Sequence, residues 1–490
     1  MSLLIYITIC VVLFFYLVNH FKKTGMKMPP GPRPLPFIGN LHLLDLKKPY
    51  QSLMEMSETY GDVFTVHFGP MKMVVLSGYK TVKDALVTQA DDFGDRADMP
   101  IFTNLVKGNG IVLGHGESWK IMRRFTLSTL RDFGMGKKTI QSRIQDELHP
   151  LLTHFESYSG EPFGTFVILN SAIANVIGSI LFGKRFEYDD PTLISLLKLI
   201  NENTKLTGTP QTMLYNFYPR LGSLLGADKE MVENVNILES FMHKFIQEHK
   251  EEYNANHITG FIDAFLMKQE QESSNSDTYF HYGNLMYSAL DLIVAGTETT
   301  SATLSWALLL MIKYPEIQKK VQEEIKTFIK PGQLPKVDDR KNMPYTDAVI
   351  HEVQRFANIV PLNLSHLTTK DVHFRGYHIP KGTEVIPMLT SVLYDKSQWD
   401  TPYRFNPHHF LDANGKFVKK DAFIPFSAGR RVCVGESLAK MEIFLFFTGL
   451  LQKFTFHPPP GISEDDLSLD ADIGFILWPM PYKTCVVPNY

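Results

Sequence analysis

Cys433 is the residue with the greatest chemical potential in this chain. It is one of three cysteines, with Cys10 and Cys485, and it stands in Phe426-Ser427-Ala428-Gly429-Arg430-Arg431-Val432-Cys433-Val434-Gly435. A lone thiol is most often an inert buried group. Here, glycines that admit close backbone approach and arginines that favour a thiolate make it a candidate ligand or nucleophile. A second candidate is Ala295-Gly296-Thr297-Glu298-Thr299-Thr300, midway along an apolar stretch from Tyr282 to Tyr314 with Pro315 just beyond. A glycine, an acid and three threonines are poor choices in a buried helix, and that conflict points to function. Glu298 and Thr299 are an acid and a hydroxyl suited to carrying protons. Two more pairs share helix faces: Glu352 with Arg355 at i,i+3, and Trp119 with Arg123 at i,i+4.

The elements that must position these groups are mostly helical. Residues 61–78 predict two short strands around a Gly-Pro turn, and strand-like signals return only near 372–390 and 474–487. Strands from opposite ends of the chain are expected to meet in one small sheet, giving a mainly α fold with a minor β region. The Tyr282–Tyr314 helix would be about 50 Å long. Glu436 to Leu451 reads as a buried helix directly after Cys433, its N-terminal dipole favouring a thiolate. The chain has 490 residues, 44% of them apolar, with 29 scattered prolines and a net charge of −3. Nothing divides it cleanly or repeats, and the charge gives no general attraction to nucleic acid. Sparse cysteine suits a reducing compartment.

From Met1 to Phe21 no residue is charged, long enough to span a bilayer, and Lys22, Lys23 and Lys27 follow, which puts the body in the cytosol. A core helix or a cleaved signal is the alternative. Pro29-Pro30-Gly31-Pro32-Arg33-Pro34-Leu35-Pro36 is a stiff, extended spacer. The expected layout is a membrane anchor over 1–21, a basic and Pro-rich linker over 22–40, and a catalytic body over 41–490.

The cysteine segment resembles the Phe-x-x-Gly-x-x-x-Cys-x-Gly signature of the cytochromes P450. The resemblance implies that fold, with an N-terminal transmembrane helix, and a haem b (iron protoporphyrin IX) ligated by the Cys433 thiolate. Such a thiolate pushes electron density that favours O–O cleavage. Phe426 and Ala295 would contact the haem. Trp119, Arg123 and Arg431 would meet its propionates, as would Arg96 and His366, although Ser365 stands where close relatives usually have proline. Residues 295–300 are similar to the family's oxygen-activation motif, in which Thr299 holds a water and Glu298 helps to relay protons. Glu352-Val353-Gln354-Arg355 resembles the family's Glu-x-x-Arg. Pro402-Tyr403-Arg404-Phe405 resembles its Pro-Glu-Arg-Phe, which implies that Arg404 joins Glu352 and Arg355 in a buried ionic cluster.

Among these enzymes the chain is most similar to vertebrate microsomal family two, from about Pro29 onward. Pro-Pro-Gly-Pro near the anchor, Asp132-Phe133-Gly134-Met135-Gly136-Lys137, Pro425-Phe426-Ser427-Ala428-Gly429 and Leu411-Asp412 carry the likeness. It implies a single-pass protein of the endoplasmic reticulum membrane that inserts one oxygen atom from O2 into lipophilic xenobiotics, fatty acids or steroids. Electrons would come from NADPH through NADPH–cytochrome P450 reductase, with a small electron-carrying cytochrome as a further partner, docking near Lys120 and Arg124. Substrate would meet Ile111, Leu113, Ile293, Ala295, Leu362, Leu364, Phe475 and Leu477. The competing readings are a haem-thiolate isomerase or dehydratase of hydroperoxides, and a membrane-tethered haem carrier or sensor without turnover. A zinc or nucleophilic-cysteine site is disfavoured, because no second cysteine or histidine stands at ligand spacing.

Overall fold

Proline, which fixes φ and lacks an N–H that a first helical turn would leave unused, opens many of the helices. The computed structural model describes residues 27–133, 138–472 and 474–489. The expected anchor, with Lys22 and Lys23, lies outside the described residues, as do residues 134–137. Among the described residues no helix is long and apolar enough to cross a membrane.

In chain order the body runs α1 (Pro49–Tyr60), β1 (Val63–Phe68), β2 (Met71–Leu76), β3 (Asp95–Arg96), α2 (Pro100–Val106), α3 (Gly116–Asp132), α4 (Lys138–Ser157) and α5 (Phe166–Phe182). Then come α6 (Pro191–Thr207), α7 (Pro210–Phe217), α8 (Pro219–Leu224), α9 (Lys229–Glu252), α10 (Phe261–Gln271), α11 (Tyr282–Lys313), α12 (Pro315–Phe328) and α13 (Pro344–Ala357). The last part contains β4 (His366–Leu367), β5 (Val372–Phe374), β6 (Tyr377–Ile379), β7 (Glu384–Pro387), α14 (Glu436–Lys453), β8 (Phe454–His457) and β9 (Cys485–Pro488). Helix α11 spans 32 residues, about 48 Å at the α-helical rise, and threads the core between α5, α14 and α13. Gly296 faces α5, where an added Cβ would come within 2.9 Å of Ile177. Its small size therefore serves helix packing rather than a ligand.

The main sheet has the order β1-β2-β7-β4-β3. β1 and β2 form the expected hairpin, with Phe68 opposite Met71, and β2 pairs in parallel with β7, so segments far apart in sequence do meet. The expectation of one sheet is corrected, however. β5 and β6 close on each other across a tight turn at Arg375 and Gly376, both at positive φ, and β9 pairs with β8 directly after α14. β5 and β6 are neighbours in sequence and find each other at little loop-closure cost, so they do not need the larger sheet. The β3–β4 pairing sets Arg96 opposite His366. The Pro-rich segment lies along β1, where Thr65 donates from its N–H to the Pro30 carbonyl (2.7 Å) and from its hydroxyl to the Pro29 carbonyl (3.0 Å).

The ionic cluster forms around Glu352 and Arg355, both fully buried. Glu352 accepts from Arg355 Nε and Nη2 (2.7 Å each), from the Asn406 N–H (2.8 Å) and from His409 Nδ1 (3.1 Å). The remaining guanidinium donors go to the carbonyls of Leu393, Pro402 and Arg404. The expected role of Arg404 is thereby corrected, since its side chain is exposed and only its backbone oxygen enters the cluster. His409, buried in Pro407-His408-His409-Phe410, supplies the third polar side chain. A ring nitrogen of His409 reaches the carboxylate, while the Arg404 side chain lies in solvent. Removing one member of a satisfied buried pair strands the other, at about 3–5 kcal/mol. Glu352→Ala and Arg355→Ala are accordingly expected to lose most of the fold's stability in urea titration. Arg404→Ala should stay within about 0.5 kcal/mol of the parent, as exposed substitutions usually do.

Candidate active site

The loop before α14 is shaped by backbone geometry. The Cys433 N–H donates to the Phe426 carbonyl (3.0 Å), closing the loop. Gly429 has φ +75°, and a Cβ there would lie 1.7 Å from the Leu86 carbonyl oxygen, so no other residue fits. Burial pushes the Cys433 thiol up, opposed by the N–H groups of Gly435 and Glu436 at the start of α14 and by the Arg123 guanidinium. Arg123 donates to the Val432 carbonyl (2.6 Å) and so stays beside the thiol. Cys433 is exposed by surface area although protein atoms crowd around it. That combination places the thiol on the wall of an interior cavity.

α11 forms another part of that wall. Most of this helix is buried, yet Ala295 is exposed and Asp291, Leu292 and Thr299 are partly so. Residues four apart lie one turn above each other, so these form a single face. Ile293, expected to touch substrate, lies roughly 160° round the helix from Ala295 by the 100° step per residue. It is 2% exposed and belongs to the core. Thr299 donates to the Ala295 carbonyl (2.8 Å), leaving its oxygen lone pairs available to a donor in the cavity. Glu298 is fully buried beside this face. Burial pushes its carboxyl up to about 7, against the opposing effects of Trp478, Asn201 and Lys205. Trp478 Nε1 donates to it at 3.0 Å.

A third wall is cationic. Arg96 and Arg431 share one nearby carboxylate, Asp95, and Arg123 lies close enough to repel both. Burial and mutual repulsion pull Arg96 down to about 9 and Arg431 to about 10, and burial with these two arginines pushes His366 down to about 3. Trp119 Nε1, Arg96 Nε and His366 Nε2 are buried without a hydrogen-bond partner. Arg431 differs from the expectation, because its nitrogens already donate to the Gly94 and Gly114 carbonyls and to Asp95 while its guanidinium stacks 3.5 Å over the Trp119 ring. Lys120 and Arg124 point outward.

The Cytochrome P450 family model matches residues 29–486. The chain belongs to the cytochrome P450 family. It is 50% identical over 489 residues to cytochrome P450 2K1 of Oncorhynchus mykiss, covering 98% of this chain and 97% of that protein. It is 51% identical over 455 residues to cytochrome P450 2K6 of Danio rerio, covering 92% and 90%. To cytochrome P450 2F1 of Homo sapiens it is 45% identical over 465 residues, covering 94% of each. These are members of family two, as the motifs led one to expect. Cytochromes P450 carry cysteine-ligated haem b, and this one is a haem-thiolate monooxygenase in its general class.

The residues present fit that group. Unpartnered donors on Trp119 and Arg96 and an excess of buried positive charge call for an anion, and haem brings two carboxylates. Ile111 and Leu113 lie in the segment between α2 and α3, which Asp291 holds by accepting from the N–H groups of Ile111 (2.6 Å) and Val112 (2.9 Å). Leu477 is fixed by bonds to Ile359 and Trp306. Leu362, Leu364 and Phe475 are partly buried, with Leu364 also accepting from Arg96 (2.9 Å). The motifs missed Asp291, one turn before Ala295 on the same face, which that spacing alone could have disclosed. They also missed Trp478 as partner of Glu298, for which no local signal exists.

A carboxyl whose folded value is raised favours the protonated folded state, so its contribution is full below the ordinary value near 4.5 and is lost as pH rises through about 7. Glu298→Gln is therefore expected to raise the unfolding midpoint at pH 8 by more than at pH 5, with up to about 3 kcal/mol at stake. Thermal denaturation at the two pH values measures the difference.

Proposed function

We propose that this cytochrome P450 is a membrane-held monooxygenase that inserts one oxygen atom from O2 into lipophilic substrates, using electrons from NADPH delivered by NADPH–cytochrome P450 reductase. The observation that carries the reading is the pairing of Glu298 with Thr299 at a cavity wall. O2 cleavage consumes two protons, and this acid can lose and regain one near neutral pH. A haem carrier or a hydroperoxide isomerase has no use for such a pair.

In this reading the Cys433 thiolate would hold the haem iron. Bound there, the haem supplies O2 activation, which the thiolate's electron density favours. Trp119, Arg96 and Arg123 would hold the propionates, and Arg431 would brace Trp119 and Asp95; His366, neutral and donating Nδ1–H to the Phe93 carbonyl (2.7 Å), would present only an acceptor there. Ala295 would admit haem and substrate close to α11, and Phe426 would contact the haem. Thr299 holds a proton donor in the cavity while Glu298 replenishes it. The pocket side chains Ile111, Leu113, Leu362, Leu364, Phe475 and Leu477 are all apolar, which supports xenobiotics, fatty acids or steroids as substrates. The exposed positions of Lys120 and Arg124 support docking of the reductase, or of a small electron-carrying cytochrome, on that side.

Residence at the endoplasmic reticulum membrane through the N-terminal anchor is supported by an apolar surface next to the first described residues. Leu35, Phe37, Ile38, Leu221, Leu224 and Leu225 are all exposed, Phe37 at 81% and Leu224 at 82%. The Tyr218 hydroxyl donates to the Phe37 carbonyl (2.5 Å), which joins the two segments. Scattered single apolar residues need no explanation, but a contiguous group marks a surface meant to be covered.

Two measurements test the chemistry. The reduced protein under carbon monoxide should show the long-wavelength Soret band of a thiolate-ligated haem, and Cys433→Ser should lose it. Retention of the band in that variant would remove Cys433 from its role. Thr299→Ala should bind haem and ligands normally while releasing more hydrogen peroxide and less product per NADPH. An unchanged product yield would refute the relay.

A further inference from the structure

We propose that Asn201 and Lys205 of α6, with Asp472 of the C-terminal segment, form the solvent end of the proton path that reloads Glu298. This rests on the relay reading above and names the route that it needs. Glu298 is fully buried, so a proton lost to the cavity cannot be replaced through open water. One of its oxygens is held by Trp478, while the other, Oε1, is buried without a direct partner. Asn201 Nδ2 is likewise buried and without a direct partner, yet the Asn201 side chain is near enough to pull the Glu298 carboxyl down. A buried acceptor and a buried donor, neither held by another group, thus face each other at the limit of direct hydrogen bonding. A single water between them makes both bonds.

The path continues by helix spacing. Asn201 and Lys205 are four apart and share a face of α6, and Lys205 is the charged group that acts on Glu298. The Lys205 ammonium pairs with Asp472 at 3.0 Å, and their side chains are 50% and 31% exposed, so this pair stands where protein meets solvent. Asp472 is tied to the same segment as Trp478, its N–H donating to the Trp478 carbonyl (2.8 Å). Both ends of the path are therefore fixed by one stretch of backbone. No proton needs to reside on Asn201, because its amide only orients the bridging water, and each proton that leaves Glu298 is replaced from solvent at the Lys205–Asp472 mouth. Asn201 and Lys205 are positioning residues in this account.

The test uses the full haem-loaded chain with reductase, comparing Asn201→Leu, Lys205→Met and Glu298→Gln. Asn201→Leu should keep haem content and the ligand-induced spectral shift. It should lower product per NADPH roughly ten-fold, less than the loss of a direct proton-transfer group, and increase the solvent deuterium isotope effect on kcat. Asn201→Ser, which restores a polar group, should recover most of the yield. Independently of turnover, infrared titration should find the Glu298 carboxyl midpoint displaced upward in Asn201→Leu and Lys205→Met. If Glu298→Gln uncouples the enzyme while both α6 variants match the parent in yield, isotope effect and midpoint, this route is wrong and the relay stands. If Glu298→Gln leaves the yield unchanged, the relay itself fails and the route with it. Should Asn201→Leu not fold, the partly exposed Lys205→Met carries the same comparison.

Discussion

Three guanidiniums gathered close enough to repel one another, with the Asp95 carboxylate beside two of them, are what the rest of this molecule has to accommodate. Arg96 and Arg431 are each about 6% exposed, and Arg123 stands half-buried beside them. Their repulsion is visible in the arginines pulled below their ordinary range and in a neighbouring histidine that resists protonation. Buried like charges are tolerated only where an anion offsets them or where the surrounding fold forces them together. Here the fold does the forcing. β3 and β4 set Arg96 against His366, α3 brings Trp119 and Arg123, and the cysteine loop brings Arg431 onto the Trp119 ring. Haem's two carboxylates would supply the compensation, which would tie the stability of this region to cofactor binding.

The same loop that delivers Arg431 delivers Cys433, so ligand and counter-charges are placed by one stretch of backbone. Its geometry leaves little freedom, with a left-handed Gly429 pressed on Leu86, a closing bond from Cys433 to Phe426, and α14 beginning at Glu436. Behind it, Arg355 spends all five donors on Glu352 and on three carbonyls of the chain leading towards that loop. A guanidinium so completely satisfied is rigid, and it fixes the approach of the loop from α13.

Much of this was legible because it is local. The spacing around Cys433, the uninterrupted apolar stretch of α11 and the strand pair at 63–76 are set by neighbours in sequence, and each forms as the residues dictate. What was not legible depended on which side chain points inward. Arg404 matched a motif by letter, but Glu352 needs a donor within reach of its carboxylate, and His409 meets that geometric need. Ile293 stands two residues from Ala295 in sequence, yet a 100° step per residue carries it to the opposite side of α11. Gly296, next to Ala295, serves Ile177 of α5 for the same reason. A partner such as Trp478 for Glu298 comes from a segment far away in the chain and leaves no periodic trace.

The two sides of the cavity differ in how they are held, and the difference follows from the chemistry each must allow. On the cysteine side, contacts are charge-assisted or backbone bonds, and burial pushes the thiol up. On the α11 side, the segment carrying Ile111 and Leu113 is tethered by Asp291, which burial pushes up to about 6, and Glu298, on the proposed proton path, is pushed up to about 7. Carboxyls raised by burial are costly to keep ionised, so a helix that retains two of them gives up stability. Structural need alone would have favoured apolar residues there. Groups poised near neutral pH exchange protons with little driving force in either direction, and a path that must load and unload protons at each turnover requires that balance.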